Sequence, residues 1–348
     1  MLACIFNKNG KLELSEKEKP KAKPGGAVIR VMATSICGTD VRAYLHGSKK
    51  IGEGVTVGHE ECGEIVEING NVQGFQVGDR VTVTPALGCG ECYMCKKGHT
   101  NMCDNLQTIG FQYDGSFAEY MEVPPEFFAR GYVNHVADNV SCLQATLAEP
   151  VACSINAQQF LAIGKGDYVA VFGSGFIGAM HAELAFTSGA EKVIMIEPNE
   201  QRLAIAKKFV PGIDEVTGGV DVESRVMEIT AGRGVDVAIV ACSVGAAQVT
   251  AQNIIAKRGR ISLFGGLPGE GKGYLDSNII HYKELGIFGV HASTAAQNRQ
   301  ALEWLAEGKI DTEKYITRTY PLKNIMQAFD DIDKQGIMKA VIVAGQEE

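Results

Sequence analysis

Four cysteines, Cys89, Cys92, Cys95 and Cys103, fall within fifteen positions at C-x2-C-x2-C-x7-C spacing. Loops that short let four thiolates converge on one tetrahedral Zn²⁺. A site closed by four sulfurs keeps no position for a substrate, so the spacing predicts a structural metal and sends the search for chemistry elsewhere. Upstream lie two more segments with metal-donor residues, Ser35-Ile36-Cys37-Gly38-Thr39-Asp40 and Val57-Gly58-His59-Glu60-Glu61. Cysteine, histidine and carboxylate are the donors of catalytic zinc, and such donors are usually distant in sequence. Cys37 alone also reads as a small buried residue, and His59 as a hydrogen-bonded core histidine. Glu60 reads either as a donor or as the residue that orients His59. Their occurrence together, ahead of a four-cysteine lobe, favours a second zinc with an open position.

A third motif concerns a cofactor. The apolar run Asp167–Phe172 leads into Gly173-Ser174-Gly175-Phe176-Ile177-Gly178, and a helical stretch, Ala179–Ser188, follows. A G-x-G-x-x-G motif alone is weak. It gains force by following a strand, opening a helix and preceding an acid, Glu197, about twenty residues on. Gly173 allows the tight turn, Gly175 lets the backbone approach a pyrophosphate at the helix N-terminus, and Gly178 lets helix and strand pack closely. A carboxylate at Glu197 suits the ribose hydroxyls of NAD and repels the 2′-phosphate of NADP. Arg202, five residues later, could hold that phosphate, or it is a solvated residue on the helix Glu200–Phe209.

The elements that must carry these residues follow from periodicity. Short apolar strands separated by Gly and Pro, Leu2–Phe6, Ala27–Ala33, Gly63–Ile68 and Arg80–Val83, predict a β-rich unit. From residue 167 to 291 the pattern becomes alternating strands and helices. The strands are Lys192–Ile196, Val235–Ala241, Arg260–Phe264 and Leu285–Val290; the helices Val222–Ala231 and Ala246–Ala256 lie between them. That alternation predicts a doubly wound parallel sheet. The tail predicts a helix Ala295–Glu307, a strand Ile316–Tyr320, a helix Leu322–Lys334 and a strand Lys339–Val343.

Composition narrows the classes. The formal charge is −8 with no basic cluster, which argues against nucleic acid or an anionic membrane as partner. No apolar run approaches the ~20 residues of a membrane span, and the N-terminus lacks a signal peptide's core and cleavage site. Ten cysteines in such a chain read as thiols or metal ligands in a reducing, cytoplasmic compartment.

Cys37-Gly-Thr-Asp, Gly58-His59-Glu60, the four-cysteine lobe and Glu149-Pro150, in that order, resemble the zinc-dependent medium-chain dehydrogenases. The sorbitol and polyol dehydrogenase branch is most similar, and the resemblance spans essentially the whole chain. It implies an α/β fold: a GroES-like β-rich catalytic domain, residues 1–153 and 292–348 with the zinc lobe at 89–103, and a Rossmann NAD-binding domain, residues 154–291. It implies two zinc ions per chain, the catalytic one on Cys37, His59 and a glutamate. Glu149 corresponds to the ligand of the polyol branch, Glu60 is its rival, and Cys153, one helical turn on, is a third candidate. Thr39 corresponds to the hydroxyl that starts the family's proton relay. The loop Ala241–Gly245, with Cys242, is implied to face the nicotinamide; Cys242 itself reads as packing. The implied reaction moves a hydride between NAD and a secondary alcohol of a polyol-like substrate, a sugar alcohol or polyol phosphate, with L-threonine or another amino alcohol as the alternative. A homodimer or homotetramer is implied. The rivals are a zinc-free quinone or enoyl reductase, which would lack the ligand set, and a dinucleotide-binding sensor, which would have no need of an open zinc site.

Overall fold

The computed structural model describes residues 1–217, 221–267, 275–332 and 336–344. The chain divides into two units, Met1–Ala152 with Ala292–Glu348, and Cys153–His291.

In the first unit a seven-stranded sheet runs in the order Ile316–Pro321, Lys339–Val343, Ala27–Ser35, Glu61–Ile68, Arg80–Val83, Val133–His135, with Tyr120–Val123 also paired to Ala27–Ser35. All neighbours are antiparallel except the two C-terminal strands, which run parallel. The long strand Ala27–Ser35 is buried at seven of its nine positions, and it has neighbours on both edges. Two apolar clusters form the core. One gathers Phe6, Val57, Phe117, Ile325, Phe329 and Ile342; the other gathers Ile29, Ile65, Val81, Met121, Phe127 and Tyr132. A two-stranded ribbon, Ala86–Leu87 with Gln107–Thr108, brackets the cysteine lobe.

The second unit is one six-stranded sheet with every neighbouring pair parallel. Its order is Asp214–Thr217, Lys192–Glu197, Tyr168–Phe172, Val235–Val240, Ile255–Leu263, Gly286–Gly289. Counted along the chain this is 3-2-1-4-5-6, the order that places a switch point beside the first strand. Val169, Ala170, Val171, Ile194, Val237 and Ile239 are fully buried, as a parallel sheet covered on both faces requires.

Some boundaries differ from the sequence pattern. The expected helix Ala246–Ala256 ends at Ile254, and a strand begins at once and runs Ile255–Leu263. Ile255 pairs with Val235 and is buried, so a β-branched residue at the sheet edge of the helix is taken into the ladder. The expected helix Leu322–Lys334 opens as a 3-10 turn, Leu322–Asn324, and continues as Ile325–Ile332; its last two positions lie outside the described residues.

Candidate active site

The four lobe cysteines come together: their sulfurs lie within 4.8 Å of one another. Short turns, Tyr93–Lys96 and Thr100–Met102, fold the segment back on itself. A Cβ on Gly88 would meet Cys95 Sγ at 2.9 Å and the Thr100 carbonyl at 3.0 Å, so the lobe closes on a residue without a side chain. Backbone amides point at the sulfurs: Cys89 N–H and Asn105 N–H donate to Cys103 Sγ at 3.2 and 3.3 Å, and Cys92 N–H donates to Cys89 Sγ at 3.3 Å. The amides of Cys95 and Asp104 hold the Cys92 thiol down to about 6. Burial pushes Cys95 up to about 12. Cys92 Sγ and Cys103 Sγ are 3.9 Å apart, close to the ~3.8 Å edge of a tetrahedron with ~2.3 Å zinc–sulfur bonds.

A second set joins Cys37, His59 and Glu60, whose donor atoms also lie within 4.8 Å of one another. Cys37 caps the helix Gly38–His46: its sulfur accepts from Thr39 N–H at 3.5 Å, and its own N–H donates to Asp40 Oδ2 at 3.0 Å. That cap is what turns the thiol toward the other two. His59 precedes the strand Glu61–Ile68, on a segment that Gly58 holds at φ +97 against Phe117; a Cβ there would meet the Phe117 ring at 2.8 Å. Glu60 is buried, and its Oε2 takes Lys339 Nζ at 2.6 Å together with the Ser35 hydroxyl. Its Oε1 and His59 Nδ1 are buried with no hydrogen-bond partner. Asp40 Oδ1 stands 3.6 Å from His59 Nδ1, an ion-pair distance and too long for a hydrogen bond. Burial pushes the His59 imidazole down, but Asp40, Cys37 and Glu149 outweigh it and hold the ring well above its usual value. The surroundings of His59 therefore favour positive charge.

Glu149 lies in the first turn of the helix Ala148–Leu161, outside the 4.8 Å set but near enough for its charge to act on His59 and Lys339. Cys153 is in neither set. Thr39 is half-buried, two residues past Cys37. Asp40, Ser35 and Lys339 complete the surroundings, and the motifs assign them no part. A lysine opening the apolar strand Lys339–Val343 was the available signal, since a buried lysine demands an anion.

In the parallel unit the glycine motif forms a tight strand-to-helix turn. Gly173 takes φ +99, and a Cβ on Gly178 would meet the Gly173 carbonyl oxygen at 1.9 Å. Gly175 caps the helix Phe176–Thr187, and a Cβ there would meet nothing within 4 Å. Phe176 is buried and Ile177 half-buried. Glu197 closes its strand: Oε2 accepts from Ser174 N–H and from the Ser174 hydroxyl, both at 3.1 Å, and Oε1 accepts from Asn199 N–H at 3.0 Å. The carboxylate is thus tied to the loop itself. Arg202 is exposed on the next helix, Glu200–Phe209, its N–H capped by the Asn199 side chain. Cys242 lies beside Gly173, burial pushing its thiol up. That matches a packing residue and not a nucleophile.

Residues 23–133 match the model of the alcohol dehydrogenase GroES-like domain, and residues 177–307 match that of the zinc-binding dehydrogenase. L-threonine 3-dehydrogenase of Pyrococcus furiosus is 35% identical over 317 residues, 88% of each chain. The chain belongs to the zinc-dependent medium-chain alcohol dehydrogenases. Sorbitol dehydrogenase of Halalkalibacterium halodurans is 33% identical over 350 residues, 98% of this chain and 99% of that one. Among solved structures, a zinc-binding dehydrogenase of Sinorhizobium meliloti bound to NADP superposes with a TM-score of 0.90, at 28% identity and 98% coverage of both chains. For a zinc-binding dehydrogenase both donor sets suit the ion. The lobe offers four sulfurs within 4.8 Å of one another, with Cys92 and Cys103 at the spacing of a tetrahedron's edge. The other set offers sulfur, imidazole and a buried carboxylate oxygen with nothing else to bind. The dehydrogenase also keeps space at Gly175, at a helix N-terminus, where a dinucleotide phosphate can approach. Among the described residues no helix is long and apolar enough to cross a membrane.

Proposed function

We propose that this dehydrogenase oxidises a secondary alcohol of a polyol-like substrate, a sugar alcohol or polyol phosphate, with NAD as acceptor, and runs the reverse reduction. The observation that carries this is the convergence of Cys37, His59 and Glu60 in the first unit, apart from the four-sulfur lobe. When bound there, zinc supplies a Lewis acid for the alcohol oxygen and NAD accepts the hydride. Cys37 and His59 hold the ion. Glu60 Oε1 would be the third donor, with Glu149, at the start of the helix Ala148–Leu161, as its alternate. Asp40 keeps a negative charge beside His59, and Lys339 with Ser35 pins Glu60 Oε2, which leaves Oε1 to face the ion. Thr39 Oγ begins the proton relay, accepting the hydrogen bond of the alcohol and releasing its own hydroxyl proton onward toward solvent as the alcohol's proton arrives. Glu197 orders the Gly173–Gly178 loop and accepts the adenosine ribose hydroxyls. The lobe of Cys89, Cys92, Cys95 and Cys103 carries a structural zinc and no step of the reaction.

A second reading takes L-threonine or another amino alcohol as substrate; the 35% identity to a threonine dehydrogenase favours it. Initial rates of NADH formation over sugar alcohols, polyol phosphates and L-threonine, repeated with NADP, separate the two. Turnover of a polyol with NAD supports the first reading. Turnover of threonine alone replaces it with the second, and preference for NADP removes the role given to Glu197. We further place the chain in the cytoplasm, because ten cysteines, none of them in a disulfide, suit a reducing compartment. We assign it a homodimeric or homotetrameric state, checked by light scattering.

A further inference from the structure

Cys62 and Cys142 belong to neither donor set. Cys62 is fully buried on the strand Glu61–Ile68. Cys142 is half-buried and opens the short helix Cys142–Ala145, which the Ser141 hydroxyl caps. The two lie 80 positions apart in the chain, yet the Cys62 thiol donates to Cys142 Sγ at 2.7 Å. Unbonded sulfurs do not ordinarily come so near, and a bonded pair sits at ~2.05 Å. The surroundings favour a reactive Cys142. The Cys62 thiol and then the Arg80 guanidinium draw the Cys142 thiol down to about 7, against burial and the charge of Glu64. Two backbone carbonyls hold Arg80 in place: Nη1 donates to that of Val140 at 2.9 Å and Nη2 to that of Ala137 at 3.0 Å. Met32 Sδ lies 3.6 Å from Cys142 Sγ and adds a third sulfur, not a charge. A partly exposed thiol with thiolate character next to a sequestered second thiol is the arrangement of an oxidisable pair.

We propose that Cys142 and Cys62 form a reversible disulfide, with a hydroperoxide as oxidant and Cys142 as the sulfur oxidised first. The Cys142 thiolate attacks a peroxide oxygen, the O–O bond breaks, hydroxide leaves and Cys142 becomes a sulfenic acid. Cys62 sulfur then displaces that oxygen as water and the S–S bond forms. Overall two thiols lose two electrons and two protons, and hydrogen peroxide becomes two waters. A dithiol reductant reopens the bond by exchange and is itself oxidised to its disulfide. The bond joins the strand that begins one residue after Glu60 to the short helix that leads toward Glu149. Oxidation therefore becomes a covalent link between the segments that bear the two candidate glutamates.

The test uses the zinc-loaded full-length chain. It is treated with one to a few equivalents of hydrogen peroxide and its zinc content is read; it is then unfolded in guanidinium so that the buried Cys62 is reachable, its remaining thiols are blocked with iodoacetamide, and its peptides are mapped by mass spectrometry with and without dithiothreitol. The expected result is a peptide pair joined through Cys62 and Cys142, a loss of two alkylatable thiols per chain, retained zinc, and reversal of both changes by dithiothreitol. Cys62→Ser should leave Cys142 as a sulfenic acid that dimedone traps, and Cys142→Ser should leave Cys62 alkylatable. The idea is overturned if peroxide ejects zinc while Cys62 and Cys142 are still alkylated, or if Cys142 pairs with another cysteine. The wild-type peptide map decides the matter even where a variant does not fold.

Discussion

Glu60 is gripped by residues far from it in the chain, Ser35 on one strand and Lys339 on the last one. Both members of the Glu60–Lys339 pair are buried, with side chains 0% and 6% exposed. Removing one partner strands the other charge, which costs about 3 kcal/mol or more, whereas replacing both together costs much less. In the zinc-free chain Lys339→Met should therefore lower unfolding stability by about 3 kcal/mol, and Glu60→Gln in the same chain should restore a good part of it. Urea denaturation of the single and double variants checks this; additive losses would show that the two side chains do not act as a pair. The two metal sets separate at the same scale. Cys37→Ser should abolish turnover and remove one zinc while leaving the unfolding temperature nearly unchanged. Cys103→Ser should also remove one zinc, but should lower the unfolding temperature, because a structural ion ties together the ends of the segment from Cys89 to Cys103. Metal analysis beside a melting curve on each variant distinguishes the roles, and a wild-type chain holding only one zinc would contradict the pair of sites.

The strand–turn–helix element around Gly173–Gly178 makes a sharper prediction than the motif. A Cβ at Gly178 collides with the Gly173 carbonyl, while a Cβ at Gly175 meets nothing. Gly178→Ala should therefore destabilise the fold by about 1–3 kcal/mol through overpacking. Gly175→Ala should leave stability nearly unchanged yet weaken NADH binding at least tenfold, if the open space there is the one we propose for a phosphate. Calorimetric titration with NADH alongside thermal melts reads both; unchanged affinity in Gly175→Ala would sink the assignment of that space. The same helix carries His181, fully buried, its Nε2 without a partner and its ring edge-on to Phe264 at 4.8 Å. Burial pushes its pKa down from 6.5 to about 3. The unfolded chain then binds a proton that the folded chain refuses between those values, so stability falls as pH drops below about 6.5. At pH 5 this one histidine should cost about 2 kcal/mol relative to pH 7.5. His181→Leu should remove that part of the pH dependence, measured as the change in urea midpoint between the two pH values.

At the scale of the whole molecule, a β-rich unit and a parallel-sheet unit are each built from elements that the sequence pattern announces. The short apolar runs Leu2–Phe6, Tyr168–Phe172 and Val235–Val240 survive as strands because an apolar run bounded by turn residues is a local property of the sequence. The helix end at Ile254 was not legible, because Ile255 joins the sheet only through pairing with Val235, a partner twenty residues away. Donor chemistry was equally local. The C-x2-C-x2-C-x7-C spacing determines a four-sulfur cluster almost by loop length alone, and Cys37 and His59 announce themselves by residue type beside glycines that bend the chain. Membership of the zinc-dependent dehydrogenases was carried by those same motifs. Tertiary structure alone decided that Glu60 and not Glu149 stands within 4.8 Å of Cys37 and His59. It also decided that Lys339 and Ser35 hold Glu60, and that Cys62 meets Cys142 across 80 positions. The reason is physical: a ligand's spacing within a loop is written in consecutive residues. Which buried charge is neutralised, and by what, depends on strands that become neighbours only when the sheet closes.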